Sequence, residues 1–188
     1  MDLVHHVTAR GRAGGLIFLD DTDRADYLER LGAVTGIHGW RCLAYCLMGN
    51  HTHLLVEAPP PALRAGTALL RRAHARAFNL RHGRCAPVWD PAARPVRVRD
   101  DRQLWAVSAY LAANPVQAGL CRDPAACRWG SHAAVAGRIA APAWLDQARL
   151  LELLGAGDPG GRRRYLNLVA ERNPPERPGP LATGASDH

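Results

Sequence analysis

Alternating and helically spaced hydrophobic positions divide the first half of the chain into short strands and two helices. Runs of apolar and β-branched residues are typical of strands, whereas apolar residues that recur every three or four positions predict amphipathic helices. Gly49 and Asn50 form the turn of a predicted hairpin. These patterns predict strands over residues 4–9, 40–48 and 51–57, and helices over residues 20–37 and 62–81.

The second half of the chain is predicted to be mainly helical. Asp100 and Asp101 predict the start of a third helix, because their side-chain oxygens can accept hydrogen bonds from its free N–H groups. We expect this helix to stop near Asn114, since Pro115 disfavours helical geometry at the residue before it. The remaining predicted elements are a short strand at residues 96–98, and helices over residues 144–154 and 162–170.

Composition narrows the class of protein. The 188 residues are 47% hydrophobic, which is enough for one globular domain with a buried core and excludes a wholly disordered chain. No apolar run of about 18 residues is present, so no membrane-spanning helix is expected. The first residues lack the basic and apolar stretches of a secretory signal. We therefore expect a cytoplasmic protein without a membrane partner.

The cysteines are predicted to be reduced thiols. Their number is five, which is odd, and no secretory signal directs the chain to an oxidising compartment. Cys42 and Cys46 are separated by three residues, which does not match a usual zinc spacing. Buried free thiols are the favoured interpretation.

Positive charge is concentrated in one segment. The net charge is +7, and all 24 basic residues are arginine, which genomic base composition alone could explain. Between Pro60 and Arg99, however, nine arginines face a single acid, Asp90, and such a local cationic field attracts polyanions such as nucleic acid. The candidate DNA-binding residues are Arg64, Arg71, Arg72, Arg76, Arg81, Arg84, Arg94, Arg97 and Arg99, with Trp89 as a candidate to stack on an unpaired base.

His51 and His53 are a candidate pair of metal ligands. They are two positions apart on a predicted strand, so both imidazoles project from the same face. Two neutral ring nitrogens at this spacing can bind one divalent metal ion. The alternative is a chance pairing among the nine histidines of the chain.

Tyr110 and Asn114 form a second candidate pair. They are four positions apart on a predicted helix and therefore share one of its faces. Tyrosine offers an oxygen nucleophile and asparagine a neutral oxygen ligand, although a helical tyrosine is more often a core residue. Together with the two histidines, they would suit a site in which a metal ion polarises a phosphodiester while Tyr110 attacks phosphorus.

These residues lie in segments that resemble a known family. The chain resembles the one-tyrosine HUH single-strand DNA transposases, and more narrowly the REP-associated tyrosine transposases, over roughly residues 3–137. The segments that carry the resemblance are His6-Val7-Thr8-Ala9-Arg10-Gly11, Ile17-Phe18-Leu19-Asp20-Asp21, Tyr45-Cys46-Leu47-Met48-Gly49-Asn50-His51-Thr52-His53-Leu54-Leu55, Tyr110-Leu111-Ala112-Ala113-Asn114-Pro115-Val116-Gln117-Ala118-Gly119-Leu120 and Trp129-Gly130-Ser131-His132.

The resemblance implies both a fold and a chemistry. The fold would be α+β, a ferredoxin-like antiparallel sheet with helices packed on it, plus C-terminal helices. His51 and His53 match the paired metal ligands of the family, Asn114 the third ligand and Tyr110 the nucleophile. The implied cofactor is Mg²⁺ or Mn²⁺, and the implied substrate is single-stranded or hairpin DNA, which would become joined to Tyr110 through a 5′ phosphate.

The resemblance also implies an organisation and a setting. The catalytic domain would cover residues 1–137. For the rest of the chain, the residue pattern predicts a helical extension over residues 138–172, and the composition of Pro, Gly, Ser and charged residues predicts a disordered tail over residues 173–188. Related enzymes occur as monomers and as homodimers. The implied location is the bacterial cytoplasm, in association with the nucleoid.

Two positions and one segment depart from the family pattern. Thr52 replaces a bulkier hydrophobic residue, Gly49 stands where proline is common, and residues 89–94 replace a segment that contacts DNA. The last change leaves open a second hypothesis, a catalytically silent protein that binds hairpin DNA on the same fold. A metal-dependent hydrolase built on a large barrel is excluded because the chain is too short.

Overall fold

The order of strands and helices along the chain follows the sequence prediction closely. A computed structural model describes residues 3–91, 95–155 and 160–172. The strands are β1 (Val4–Arg10), β2 (Arg41–Leu47), β3 (His51–Glu57) and β4 (Val96–Arg97). The helices are α1 (Asp21–His38), α2 (Pro60–Arg81), α3 (Asp101–Gln117), α4 (His132–Val135), α5 (Gln147–Leu153) and α6 (Gly160–Arg172), with 3-10 turns at Arg12–Gly14 and Pro124–Ala126.

The four strands form one antiparallel sheet in the order β2-β3-β1-β4. With the chain order β1-α1-β2-β3-α2-β4, this is the ferredoxin-like arrangement, so the predicted α+β class is confirmed. In the central pair, Thr8 lies opposite His53 and Arg10 lies opposite His51. No described helix is long and apolar enough to cross a membrane.

Each face of the sheet is covered by a different group of helices. Val7 of β1 and Leu54 of β3 pack under α1 and α2. Val4 and Leu55 point to the other face, where they pack under α3, α5 and α6. Because neighbouring residues of a strand point to opposite faces, this division places the odd-numbered residues of β3, including both histidines, on the side of α3.

Polar side chains fix the starts of two helices where the sequence predicts them. The side chain of Asp20 accepts a hydrogen bond from the backbone N–H of Asp23 (3.0 Å) at the start of α1. The side chain of Asp100 accepts one from the N–H of Gln103 (2.7 Å) at the start of α3. Both bonds satisfy N–H groups that have no partner inside the helix.

The prediction that α3 stops near Asn114 is wrong. The helix continues through Pro115 to Gln117, and Asn114 and Pro115 are both buried in it. Proline lacks only the N–H that would bond to the carbonyl of Leu111, so the loss is one hydrogen bond close to the helix end. Burial of this last turn against the core outweighs the local preference.

Two further expectations require correction. Cys121 and Cys127 form a disulfide, because the turn between them brings their Cα atoms to 5.7 Å. The prediction of free thiols is therefore confirmed for Cys42, Cys46 and Cys85 and is wrong for the other two cysteines.

The fifth helix begins at Gln147 rather than at residue 144, because the side chain of Asp146 caps it. The predicted tail over residues 173–188 lies outside the described residues.

The first prediction concerns the close contact of Gly66 of α2 with Trp40, the residue that precedes β2. An added Cβ at this buried glycine would overlap the indole ring of Trp40, whose Nε1 donates to the carbonyl of Ala62 (3.2 Å). We expect Gly66→Ala to lower the free energy of unfolding by about 1–3 kcal/mol, measured by urea denaturation, although alanine is the better helix former.

The matched control is Gly36→Ala in α1, where an added Cβ would meet nothing within 4 Å. This variant should raise the free energy of unfolding by about 0.5–1 kcal/mol, since only helix propensity changes. Equal effects of the two substitutions would contradict the contact with Trp40.

Candidate active site

His51 and His53 lie side by side on the face of the sheet that α3 covers. Their ring centroids are 4.8 Å apart, and the ring planes are perpendicular. Thr52, between them, points to the opposite face, where its hydroxyl lies 3.4 Å from the hydroxyl of Tyr27. Thr52 is therefore not directed toward the two histidines, as the alternation of the strand predicts.

Hydrogen bonds hold Nδ1 of each imidazole. Nδ1 of His51 donates to the side-chain oxygen of Asn50 (2.7 Å), which leaves Nε2 of His51 with a lone pair. Nδ1 of His53 lies 2.9 Å from Nε2 of His6 and 3.2 Å from the hydroxyl of Thr8. Nε2 of His53 is buried without a hydrogen-bond partner in the described part of the chain.

Tyr110 joins this histidine cluster from α3. Its ring meets the edge of His53 with centroids 5.3 Å apart, and that of His6 with centroids 6.3 Å apart. The structure thus brings Tyr110 next to His53, which itself lies beside His51. Tyr110 and His51 are partly buried, and His53 is fully buried. The phenol of Tyr110 therefore lies against His53, one of the two predicted metal ligands.

The other three tyrosines are poorly suited to nucleophilic chemistry. Burial raises the pKa of Tyr45 to about 12 and raises the pKa values of Tyr27 and Tyr165 further, so their phenols hold their protons. Tyr27 packs on the opposite face of the sheet, and Tyr165 bonds to His132 under α6. All three are buried residues of the core.

Asn114 lies one helical turn after Tyr110. Its side chain is buried, and its amide nitrogen has no hydrogen-bond partner among the residues that the structure describes. No hydrogen bond there joins Asn114 to His51 or His53. The spacing nevertheless keeps Asn114 on the same helix face as Tyr110.

The imidazoles are held neutral. Desolvation by burial lowers the pKa of His53 to about 3, and the charges of His6, His51 and Arg10 add smaller effects. Burial, and then the charge of Arg10, also lowers the pKa of His51. Both rings therefore keep a lone pair at neutral pH, which metal ligation requires.

The imidazole nitrogens of His51 and His53 and the amide oxygen of Asn114 are uncharged donor atoms that suit a divalent cation. Within residues 3–91, 95–155 and 160–172, no group of three or more His, Cys, Asp or Glu side chains is placed to hold a metal ion. A cation here would therefore depend on two imidazoles and an amide oxygen. The buried and unpartnered Nε2 of His53 is the observation that favours such a ligand.

Sequence reasoning missed His6, Thr8 and Arg10 as neighbours of the site. All three alternate along β1 on the face of the histidines, and the register sets Thr8 opposite His53. The signal was present in the alternation of β1, but the pairing of two strands that are some forty residues apart determines which residues meet. From the sequence, His6 is expected to have a structural or DNA-contacting role rather than to bind a metal ion, and no role is assigned to Thr8 or Arg10.

The basic segment lies on the other side of the sheet from the histidines. Helix α2 packs with α1 against the opposite face, so its arginines are not beside Tyr110. Arg64, Arg72 and Arg76 are exposed along this helix, and Arg84, Arg97 and Arg99 are exposed after it. Arg94 lies outside the described residues.

Two of the candidate arginines have structural partners. Arg71 donates to the backbone oxygen of Asp90 (2.6 Å), and its guanidinium lies over the ring of Trp89. Arg81 forms ion pairs with Asp20 (2.6 Å) and Asp23 (2.7 Å), which join the end of α2 to the start of α1. These pairings oppose the release of either guanidinium to a phosphate.

The prediction that Trp89 stacks on an unpaired base does not fit the structure. The side chain is only 8% exposed, and its Nε1 donates to the backbone oxygen of Arg71 (2.8 Å). Its ring packs near Tyr27 and His74. Trp89 is a core residue because the loop that carries it folds back over α2.

Comparisons with known proteins place this fold. No protein-family profile and no curated protein sequence matches the chain. Among solved structures, a REP-associated tyrosine transposase bound to a REP hairpin is similar with a TM-score of 0.58 and 15% identity, over 75% of this chain and 83% of that protein. A proposed transposase from Deinococcus radiodurans R1 is similar with a TM-score of 0.45 and 17% identity, over 57% of this chain and 87% of that one.

The fold and the histidine cluster define a ferredoxin-like α+β protein with a tyrosine helix packed on a pair of histidines. The chain has the fold of the REP-associated tyrosine transposase, as its sequence motifs predict.

The neutral histidines generate a prediction about acid stability. Because the pKa of His53 falls from 6.5 to about 3 on folding, the unfolded chain binds more protons below pH 6.5. The contribution of His53 is thus complete above pH 6.5 and is lost as the pH falls toward 3. We expect His53→Gln to reduce the dependence of the free energy of unfolding on pH by up to about 1.4 kcal/mol per pH unit in this range.

The measurement is chemical denaturation of the protein in EDTA at several pH values. Thr52→Val changes the neighbouring residue without removing a titrating group, so its pH dependence should equal that of the wild type. A pH dependence that is unchanged in His53→Gln would contradict the buried neutral state of this ring.

Proposed function

We propose that this protein is a metal-dependent endonuclease and strand transferase for single-stranded DNA that forms hairpins. The observation that carries the proposal is the contact of Tyr110 with His53, which lies beside His51 and whose Nε2 has no hydrogen-bond partner within the described residues. The shared fold adds support, since the REP-associated tyrosine transposase of the comparison is bound to a REP hairpin.

Tyr110 would be the nucleophile. Its phenol loses a proton to solvent, its oxygen attacks the phosphorus of a phosphodiester, and the bond from phosphorus to the 3′ oxygen breaks. The departing oxygen takes up a proton and becomes a 3′ hydroxyl, while the 5′ phosphate stays joined to Tyr110. Attack of a 3′ hydroxyl on this phosphotyrosine reverses the step and joins two strands.

His51, His53 and Asn114 would hold the cation, Mg²⁺ or Mn²⁺. When bound, a divalent cation supplies a Lewis acid that polarises the phosphodiester. The protein contributes ring nitrogens that burial keeps unprotonated, and Asn50 fixes which nitrogen of His51 carries the lone pair. Arg10, exposed opposite His51, contributes a positive charge that attracts the DNA phosphate.

A second candidate function is a catalytically silent protein that binds hairpin DNA. The specific observation in its favour is that the exposed arginines of α2 lie across the sheet from Tyr110. DNA could bind that surface without reaching the histidines. Formation of a covalent adduct separates the two functions.

Tyr110→Phe provides the direct test. The change keeps the aromatic ring and removes only the nucleophilic oxygen, so we expect normal folding and DNA binding but no adduct. The substrate is a pool of 3′-labelled hairpin oligonucleotides with randomised single-stranded flanks, incubated with Mg²⁺ or Mn²⁺. The adduct is a labelled protein band that survives denaturing electrophoresis.

Tyr45→Phe is the matched control, because it removes a phenol that lies away from the histidines. This variant should form as much adduct as the wild type. An adduct that persists in Tyr110→Phe would contradict the assignment of the nucleophile. Binding of the pool by the wild type without any adduct would favour the silent alternative.

The exposed arginines of α2 generate a prediction about salt. Arg72 and Arg76 are one helical turn apart and exposed. If both contact phosphates, replacing them with alanine reduces the slope of log K against log salt by about 1.4–1.8, at about 0.7–0.9 for each contact. Fluorescence anisotropy of a labelled hairpin at several salt concentrations measures this slope.

The control is Arg102→Ala, an exposed arginine of α3 outside the basic segment. Its salt slope should stay at the wild-type value. If the double variant also keeps the wild-type slope, the arginines of α2 only solvate the surface.

A further inference from the structure

We infer that His6, together with Thr8, is a positioning residue that fixes the tautomer of His53. In this arrangement the proton of His53 stays on Nδ1, and Nε2 carries the lone pair that a cation needs. The inference rests on the proposed function, because it assigns His6 a role toward a cation held by His51 and His53.

The contact between the two rings is direct. Nε2 of His6 lies 2.9 Å from Nδ1 of His53, and the two ring planes are inclined by only 26°. The hydroxyl of Thr8 lies 3.2 Å from Nδ1 of His53 and 3.4 Å from Nε2 of His6, so it can accept from the first and donate to the second. Nδ1 of His53 therefore has two partners that can accept its proton.

The placement of one proton decides the chemistry of His53. A neutral imidazole carries a single N–H, on either Nδ1 or Nε2. On Nε2 it would be a buried donor with no acceptor in the described chain, which costs free energy. On Nδ1 it is satisfied by His6 and Thr8, and Nε2 becomes an acceptor-only nitrogen suited to a metal ion.

His6 can serve as the acceptor. Nδ1 of His6 is not a buried nitrogen without a partner, so it can carry the N–H of this ring at no cost. Nε2 of His6 is then free to accept from His53. The strand holds the residue in place, because His6 pairs with Leu55 on β3 and with Val96 on β4. A phenylalanine would fill similar space but would offer no acceptor to His53.

The arrangement repeats what Asn50 does for the other histidine. Asn50 accepts from Nδ1 of His51 at 2.7 Å, and His6 accepts from Nδ1 of His53 at 2.9 Å. Both rings are thus held through Nδ1, and in both the lone pair is on Nε2. Such outer partners of metal-binding histidines orient the ring and raise its basicity.

The first measurement uses the metal-free protein and does not depend on activity. In protein labelled with ¹⁵N-histidine, two-bond NMR correlations identify which ring nitrogen of His53 carries the proton. We expect Nδ1–H in the wild type, and loss of this single tautomer in His6→Phe. A wild-type His53 that carries its proton on Nε2 overturns the inference.

The second measurement is Mn²⁺ affinity, from the EPR signal of free Mn²⁺ during titration. We expect His6→Phe to weaken Mn²⁺ binding by about 10- to 100-fold. His6→Gln, whose side-chain oxygen can accept from Nδ1 of His53, should recover part of the affinity. If His6→Phe fails to fold, the Mn²⁺ affinity of His6→Gln is compared with that of the wild type instead.

His5→Gln is the matched control. It removes an imidazole from the next position of β1, on the opposite face of the sheet, where Nδ1 of His5 bonds to the backbone oxygen of Leu3 (2.8 Å). Its Mn²⁺ affinity should equal that of the wild type. An equal loss in His5→Gln and His6→Gln would indicate a general effect on the strand and overturn the inference.

The outcomes separate this inference from the proposed function. If the wild type forms the Tyr110 adduct and His6→Gln and His6→Phe bind Mn²⁺ normally, the function stands and the role of His6 is wrong. A larger loss in His6→Gln than in His53→Gln would make His6 a direct ligand and contradict the positioning role. If the wild type binds no Mn²⁺ and forms no adduct, both proposals fail.

Discussion

The antiparallel pairing of β1 with β3 is the constraint on which the candidate site depends. Side chains alternate with a period of two along each strand, so a shift of one residue would turn His51 and His53 to the face of α1 and α2. The observed register sets Thr8 opposite His53 and Arg10 opposite His51. Burial of the intervening apolar residues against two different sets of helices resists such a shift. The hydrophobic core and the site are therefore specified by the same pairing.

Burial and hydrogen bonding then give the site its chemistry. Burial keeps the two imidazoles unprotonated, so each ring has a nitrogen lone pair at physiological pH. Asn50 bonds to Nδ1 of His51 and His6 bonds to Nδ1 of His53, while α3 places Tyr110 against His53. The exposed positive charge of α2 is separated from these groups by the sheet. Under the proposed function, DNA that used both surfaces would have to pass around the sheet edge.

Much of this arrangement could be predicted from local patterns. The bounds of β3 match because the Gly49 turn precedes it, and its alternation correctly placed both histidines on one face. The spacing of Tyr110 and Asn114 correctly placed them on one helix. What failed depends on contacts between distant residues. Continuation of α3 through Pro115, burial of Trp89 and the pairing of His6 with His53 each depend on tertiary packing. The alternation of β1 gives the face on which His6 lies but not the residue that it meets.

If the β1–β3 register builds one site from His51, His53 and Tyr110, a divalent cation should bind between the two histidines. Anomalous X-ray diffraction from crystals grown with Mn²⁺ locates such an ion. We expect a strong anomalous peak bonded to Nε2 of His51 and Nε2 of His53, with Tyr110 as the nearest tyrosine. A peak bonded to other residues, or a fully occupied site that uses Nδ1 of either histidine, would contradict it.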